Sequence, residues 1–188
     1  MKKQVFEWLI NPFTRIAGWQ AFGVGLLFIA LMGILGSYSS IAFDGVADMH
    51  MIKISLSQSF VYLAIDLVCL VGVMYVTGLI VSEGFRFIDI LGTMTLAKAP
   101  GLLLAIGGFF TSVPDLSELY KDPYVLFQSA SFVVLIVLSL PVMAWCITLM
   151  YNGLKVSCGI KGRKLTVAFL IALLVSEVLS KVLIYLID

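Results

Sequence analysis

Five stretches of this chain run for about twenty residues or more with almost no charge, and that feature restricts the fold more than any motif in it. A helix needs about 20 largely apolar residues to cross the hydrocarbon core of a bilayer. Stretches of that length lie at Trp19–Phe43, Ser59–Val81, Thr93–Val113, Tyr124–Tyr151 and Leu165–Ile187, separated by charges and turn residues. Their continuous apolar character differs from the alternation of barrel strands. The sequence therefore predicts an all-α, polytopic integral membrane protein with five transmembrane helices, forming a single domain over residues 1–188. Composition agrees, with 61% hydrophobic and only 12% charged residues, far from a soluble average. The 12 Lys+Arg are balanced by 11 Asp+Glu, which excludes a basic nucleic-acid-binding surface, and the hydrophobicity excludes disorder. Three cysteines without CxxC spacing and a single histidine exclude a disulfide framework and a zinc site. No metal and no cofactor is expected.

The ends of the spans carry local signals. Residues 1–18 read as an interfacial segment interrupted by Pro12. Met1-Lys2-Lys3 and a Ser40-Ile41-Ala42 cleavage site would suit a signal peptide, but Glu7, Trp8, Asn11, Pro12 and Arg15 precede a run that is too long for one. Phe85–Leu91 reads as a short helix lying in the interface before span three, the alternative being a long kinked third helix. Lys98, early in span three, is expected to snorkel to the headgroups, with Pro100 tolerated near the helix start. Pro141 should kink span four, with Ser139 available to a freed carbonyl. Asp122-Pro123 has N-cap character, and Asp115 to Glu118 has capping-box spacing.

Charge sets the expected orientation. Lys2, Lys3, Arg15, Arg86, Lys98, Lys155, Lys161, Arg163 and Lys164 fall on the amino-terminal side, against Lys53 and Lys121 on the other. The positive-inside rule then places the amino terminus in the cytoplasm and the carboxyl terminus outside. The basic turn of Lys155, Lys161, Arg163 and Lys164 reads as a topogenic and anionic-lipid contact, with protein docking as the alternative.

Two features inside the spans stand out. Ala168, Ala172, Ser176 and Ser180 repeat every four residues and make a smooth helix-packing stripe on span five; Gly25, Gly33 and Gly36 form a less regular set on span one. Asp66, Glu177 and Lys181 are ionisable groups at membrane depth, where they are costly and seldom face lipid. Asp66 and Lys181 lie at matching depths of roughly 10 and 9 Å below the outer surface. They are expected to pair and join spans two and five, with Glu177 one turn deeper and Ser180 an available hydroxyl. Enzyme motifs are missing: there is no HExxH, no Gly-x-Ser-x-Gly and no Gly-x-Gly-Asp, and Glu83-x-x-Arg86 lacks partner histidines. No catalytic residue is assigned. His50 reads as solvated, and Cys69, Cys146 and Cys158 as apolar filling or reduced thiols.

The order of these features resembles the Yip family of Ypt/Rab-interacting membrane proteins. It is carried by Leu9-Ile10-Asn11-Pro12-Phe13 before span one, Ala97-Lys98-Ala99-Pro100 in span three, Trp145 in span four, and the basic turn from Lys155 to Lys164. The chain lacks the Asp-Leu-Tyr-Gly-Pro motif and the long amino-terminal region of eukaryotic members, so the resemblance is to a prokaryotic-type member of a bacterial inner (plasma) membrane. It implies a non-enzymatic, five-helix interaction or scaffold protein whose partners are the lipid bilayer and a membrane protein or a second copy. The alternative is a small transporter or lipid-moving protein using Asp66, Glu177 and Lys181, although five spans do not divide into two inverted repeats.

The charge asymmetry makes the orientation testable. A reporter fused after Asp188 is expected to report an external carboxyl terminus, and one in the turn at Lys161 a cytoplasmic location. A cytoplasmic reading at Asp188 contradicts an odd number of spans.

Overall fold

Two helix ends follow caps that the sequence supplies, the start after Ser55 and the stop at Gly159. The computed structural model describes residues 7–111 and 129–187. The expected turn at Asp115–Glu118, the cap at Asp122-Pro123, the start of span four at Tyr124, and Lys2, Lys3 and Lys121 lie outside the described residues. After a 3-10 turn at Pro12–Thr14, α1 runs Gly18–Ser39 and ends where Ser40 adopts a left-handed conformation (φ 58°) and donates its amide to the Gly36 carbonyl. The apolar run to Phe43 therefore does not remain helical. Its last residues enter a hairpin of β1 (Ala42–Gly45) and β2 (Asp48–His50), antiparallel with Ala42 opposite His50 and Gly45 opposite Asp48. Helix α2 (Leu56–Val81) begins at a capping box in which the Ser55 hydroxyl accepts from the Gln58 amide at 3.2 Å and the Gln58 side chain accepts from the Ser55 amide at 3.0 Å.

The third span is broken. Helix α3 (Phe87–Ala97) passes through a 3-10 turn at Ala99–Gly101 into α4 (Leu102–Gly108). Pro100 causes the break, because it has no amide to donate. This corrects the expectation of a separate short helix over Phe85–Leu91: from Phe87 the chain is one continuous helix to Ala97, with Ile90 fully buried. The long kinked alternative is the one observed. Helix α5 (Ala130–Cys158) contains Pro141 and stops at Gly159 in the left-handed region (φ 65°). The Ser139 hydroxyl bonds the Ile136 carbonyl at 2.7 Å, not the Val137 carbonyl that Pro141 frees. Helix α6 covers Gly162–Ile187. Helices α1, α2, α5 and α6, together with the joined α3 and α4, are each long and apolar enough to cross a membrane. The protein is thus a five-span helical membrane protein, with one short hairpin among the described residues.

Helix α1 packs mainly on α3, α2 on α6, and α3 on both α1 and α5. The broken span is central, with 61% of its apolar window buried against 22–33% for the others. Irregular backbone at membrane depth is tolerated only inside protein, and Ala97, Lys98, Pro100 and Gly101 are all buried. Glycines make the approach possible. A Cβ at Gly25 would lie 2.5 Å from the Leu96 amide nitrogen, and one at Gly92 would collide with the Gly18 carbonyl oxygen. The hairpin and the carboxyl-terminal half of α6 share one end of the bundle. At the other end Ser82 Oγ donates to the Cys158 carbonyl at 2.8 Å, joining the end of α2 to that of α5. The amino-terminal segment is tied to α5 by Trp145 Nε1 donating to the Leu9 carbonyl at 2.7 Å and Asn152 Nδ2 to the Ile10 carbonyl at 3.1 Å.

Gly25→Leu is expected to destabilise the fold by about 1–3 kcal/mol or more through overpacking against the α3 backbone. Gly23→Ala, where a Cβ meets nothing within 4 Å, is expected to be neutral or mildly stabilising. Thermal unfolding in detergent separates the two, and equal losses would contradict the close α1–α3 contact.

Candidate functional site

Beneath the hairpin, α2, the end of α3, and α6 bring charged groups together in two tiers. In the inner tier Asp66 is fully buried and Lys98 is 4% exposed. Lys98 Nζ donates to Asp66 Oδ2 at 3.2 Å and to the Gly45 carbonyl at 3.4 Å, and the Ser180 hydroxyl donates to Asp66 Oδ1 in a short hydrogen bond. Lys98 does not snorkel. It follows the last residue of α3, where a cation is favoured by the helix dipole, and the break at Pro100 turns the chain beside it. Each oxygen of Asp66 has a donor, which is what allows a carboxylate to remain at this depth.

The outer tier is held by the hairpin. Lys181 Nζ donates to Asp48 Oδ2 at 2.7 Å and lies 3.9 Å from Glu177 Oε1. Glu177 Oε2 accepts the Ala47 amide at 2.8 Å, and a Cβ at Gly45 would collide with the same carboxylate. The expected Asp66–Lys181 pair is therefore not formed. Spans two and five are neighbours, but Asp66 reaches α6 through Ser180 while Lys181 turns to Asp48. Burial by itself would raise the Asp48 carboxyl. The hydrogen bonds from Lys181 and the Met49 amide, with the charges of Lys181 and His50, outweigh it and hold the group below its ordinary value of 3.8. Asp48 thus stays ionised and keeps its pair.

His50, read as solvated, lies with Nδ1 2.8 Å from both oxygens of Asp44. Asp44, Asp48 and His50 bring potential metal-ligating atoms within 4.8 Å of one another, but Lys181 and Met49 already engage Asp48 and His50 engages Asp44. Around the inner tier, the cavity bordered by Lys98, Asp48, Gly45 and Cys146 offers about 10 Å³ to the centre of a water-sized sphere. That is room for one water at most.

The other residues singled out in the sequence fall elsewhere. On the α6 stripe, Ala172, Ser176 and Ser180 are buried and Ala168 is half-buried; Ser180 is both part of that stripe and a ligand of Asp66. Cys69, Cys146 and Cys158 are free and buried, with Cys158 the last residue of α5. Lys161, Arg163 and Lys164 are exposed and Lys155 half-buried at the opposite end of the bundle. Arg86 pairs with Asp89 at 3.0 Å, so Glu83-x-x-Arg86 forms no site of its own. Sequence reasoning missed Lys98, Gly45, Ala47 and Asp48.

Lys98→Met is expected to leave Asp66 buried without a counter-charge and to cost about 3–5 kcal/mol, whereas replacing Asp66 and Lys98 together by apolar residues costs less than the sum of the single changes. A double-mutant cycle scored by thermal unfolding in detergent measures this coupling. Strict additivity would contradict the pair.

No protein-family model, curated protein or solved structure matches this chain.

Proposed function

We propose that this chain is a non-enzymatic, multi-pass interaction or scaffold protein of Yip type in a bacterial inner membrane, with its amino terminus in the cytoplasm, acting on a membrane-protein partner or a second copy of itself. The observation that carries this reading is the closed inner tier. Transport through Asp66 and Lys98 requires water or substrate to reach them, and the cavity bordering Lys98 offers about 10 Å³. The hairpin above is clamped by Lys98, Glu177 and Lys181. The segments that carry the family resemblance support it too. Leu9 and Pro12, then Ala99 and Pro100, then Trp145 line one apolar groove of about 430 Å³.

A transport reading draws on one specific observation, the charge pair at membrane depth, which commonly marks an ion or substrate path. One pair of measurements separates the two. With the protein in sealed vesicles containing a pH-sensitive dye, no proton flux above protein-free vesicles is expected. A photoreactive residue at Leu103, on the groove, is expected to give a discrete protein adduct in native membranes, and one at Leu174 is not. Flux that Lys98→Met abolishes would overturn the scaffold reading in favour of transport, and the absence of any adduct at Leu103 would remove its interaction surface.

A further inference from the structure

The seam between α2 and α6 opens toward lipid in two connected cavities that share Thr77 and Ile171. The upper one, about 500 Å³, is walled by Ile80, Val81 and Val167 and has Arg163 and Lys164 at its mouth. The lower one, about 510 Å³, continues past Val175 and Gly72. A Cβ at Gly72 would meet nothing within 4 Å, so the missing side chain widens the channel. Among the described residues neither Arg163 nor Lys164 has an ion-pair partner, and Glu83 in the adjacent turn makes none.

We infer that this seam binds one anionic phospholipid, with its phosphate between Arg163 and Lys164 and an acyl chain along the groove. Guanidinium and ammonium groups at the mouth match a phosphate, and the walls below match a hydrocarbon chain. The lengths agree as well. From Lys164 to Val175 the axis rises roughly 16 Å at about 1.5 Å per residue, close to half of the roughly 30 Å hydrocarbon core. A second copy is a poor occupant, because a two-fold contact brings the same patch of both copies together and so gathers two sets of Arg163 and Lys164 without supplying an anion from that patch. The site lies at the end of the bundle away from the hairpin and stands independently of the scaffold reading.

The full-length protein, incubated in detergent with equal amounts of phosphatidylglycerol and phosphatidylcholine of the same chain length, is examined by native mass spectrometry. The wild type is expected to retain one phosphatidylglycerol in preference. R163Q/K164Q is expected to lower that retention about tenfold. K155Q/K161Q, which removes the same charge from the same end, is expected to leave it within about twofold. Gly72→Leu keeps every charge and adds a side chain to the channel from a position where a Cβ meets nothing within 4 Å, and is expected to lower retention as well; unchanged thermal unfolding of each variant shows that the fold is intact. The proposal is overturned if R163Q/K164Q or Gly72→Leu retains lipid like the wild type. It is equally overturned if K155Q/K161Q loses as much as R163Q/K164Q, which means diffuse attraction, or if a second copy or another protein is retained in the seam.

Discussion

A charge pair at membrane depth persists only when both ions are withdrawn from lipid and fully hydrogen-bonded, and the Asp66–Lys98 pair imposes that demand on every element around it. Lys98 must be carried into the interior, so the span that bears it is the most buried of the five. That span is also broken at Pro100, and its freed backbone is tolerable only in a protein environment. Central placement in turn requires α1 to approach closely, which Gly25 and Gly92 permit. The remaining donor comes from α6, where a small-residue stripe lets the helix sit against α2 and its last hydroxyl, Ser180, reaches Asp66. Packing and polar satisfaction are two aspects of one arrangement.

The number of spans was legible because length and apolarity alone decide it. That spans two and five are neighbours was expected from an Asp66–Lys181 pair that does not form; the two meet at Asp66 through Ser180 instead. The partner of Asp66 was not legible, and the reason is a boundary. Starting span three at Thr93 leaves Lys98 within reach of the headgroups. Starting it at Phe87 puts Lys98 eleven residues in, roughly 16 Å along the axis, where snorkelling is no longer available. An offset of six residues therefore exchanged one lysine for another as the counter-ion. The local signal that could have shifted the boundary was present: Arg86 and Asp89 pair across the first turn of α3, as charges at a helix start do.

The hairpin was invisible for a different reason. Ile41, Ala42 and Phe43 are apolar and continue the first span without a break in hydropathy, and no glycine or proline marks the stop; Ser40 alone does so, in a left-handed conformation that a hydroxyl residue seldom advertises. Ile41 and Phe43 are buried against Leu63 and Leu104, so they are core residues delivered by the lead into β1 and by β1 itself. Once the hairpin folds inward, Asp48 and the Ala47 amide face α6, and Lys181 and Glu177 find partners that no spacing within a helix could reveal. The missed capping box at Ser55 and Gln58, by contrast, was readable from four consecutive residues.

The two tiers differ in how firmly they hold. Asp66 and Lys98 are sealed, and breaking their pair strands a charge in a medium that cannot solvate it. Lys181 and Asp48 are about 40% exposed at their side chains, so water replaces most of what their contact supplies and such a pair contributes little to stability. Glu177 adds a hydrogen bond to the hairpin backbone, but its side chain is also partly exposed. Loosening the hairpin from α6 therefore costs far less than separating α2 from α3. The hairpin is held by more than these pairs, because Lys98 Nζ also donates to the Gly45 carbonyl and Ile41 and Phe43 are buried in the core, so a contact made at that end of the bundle can rearrange Lys181 and Asp48 without releasing the hairpin.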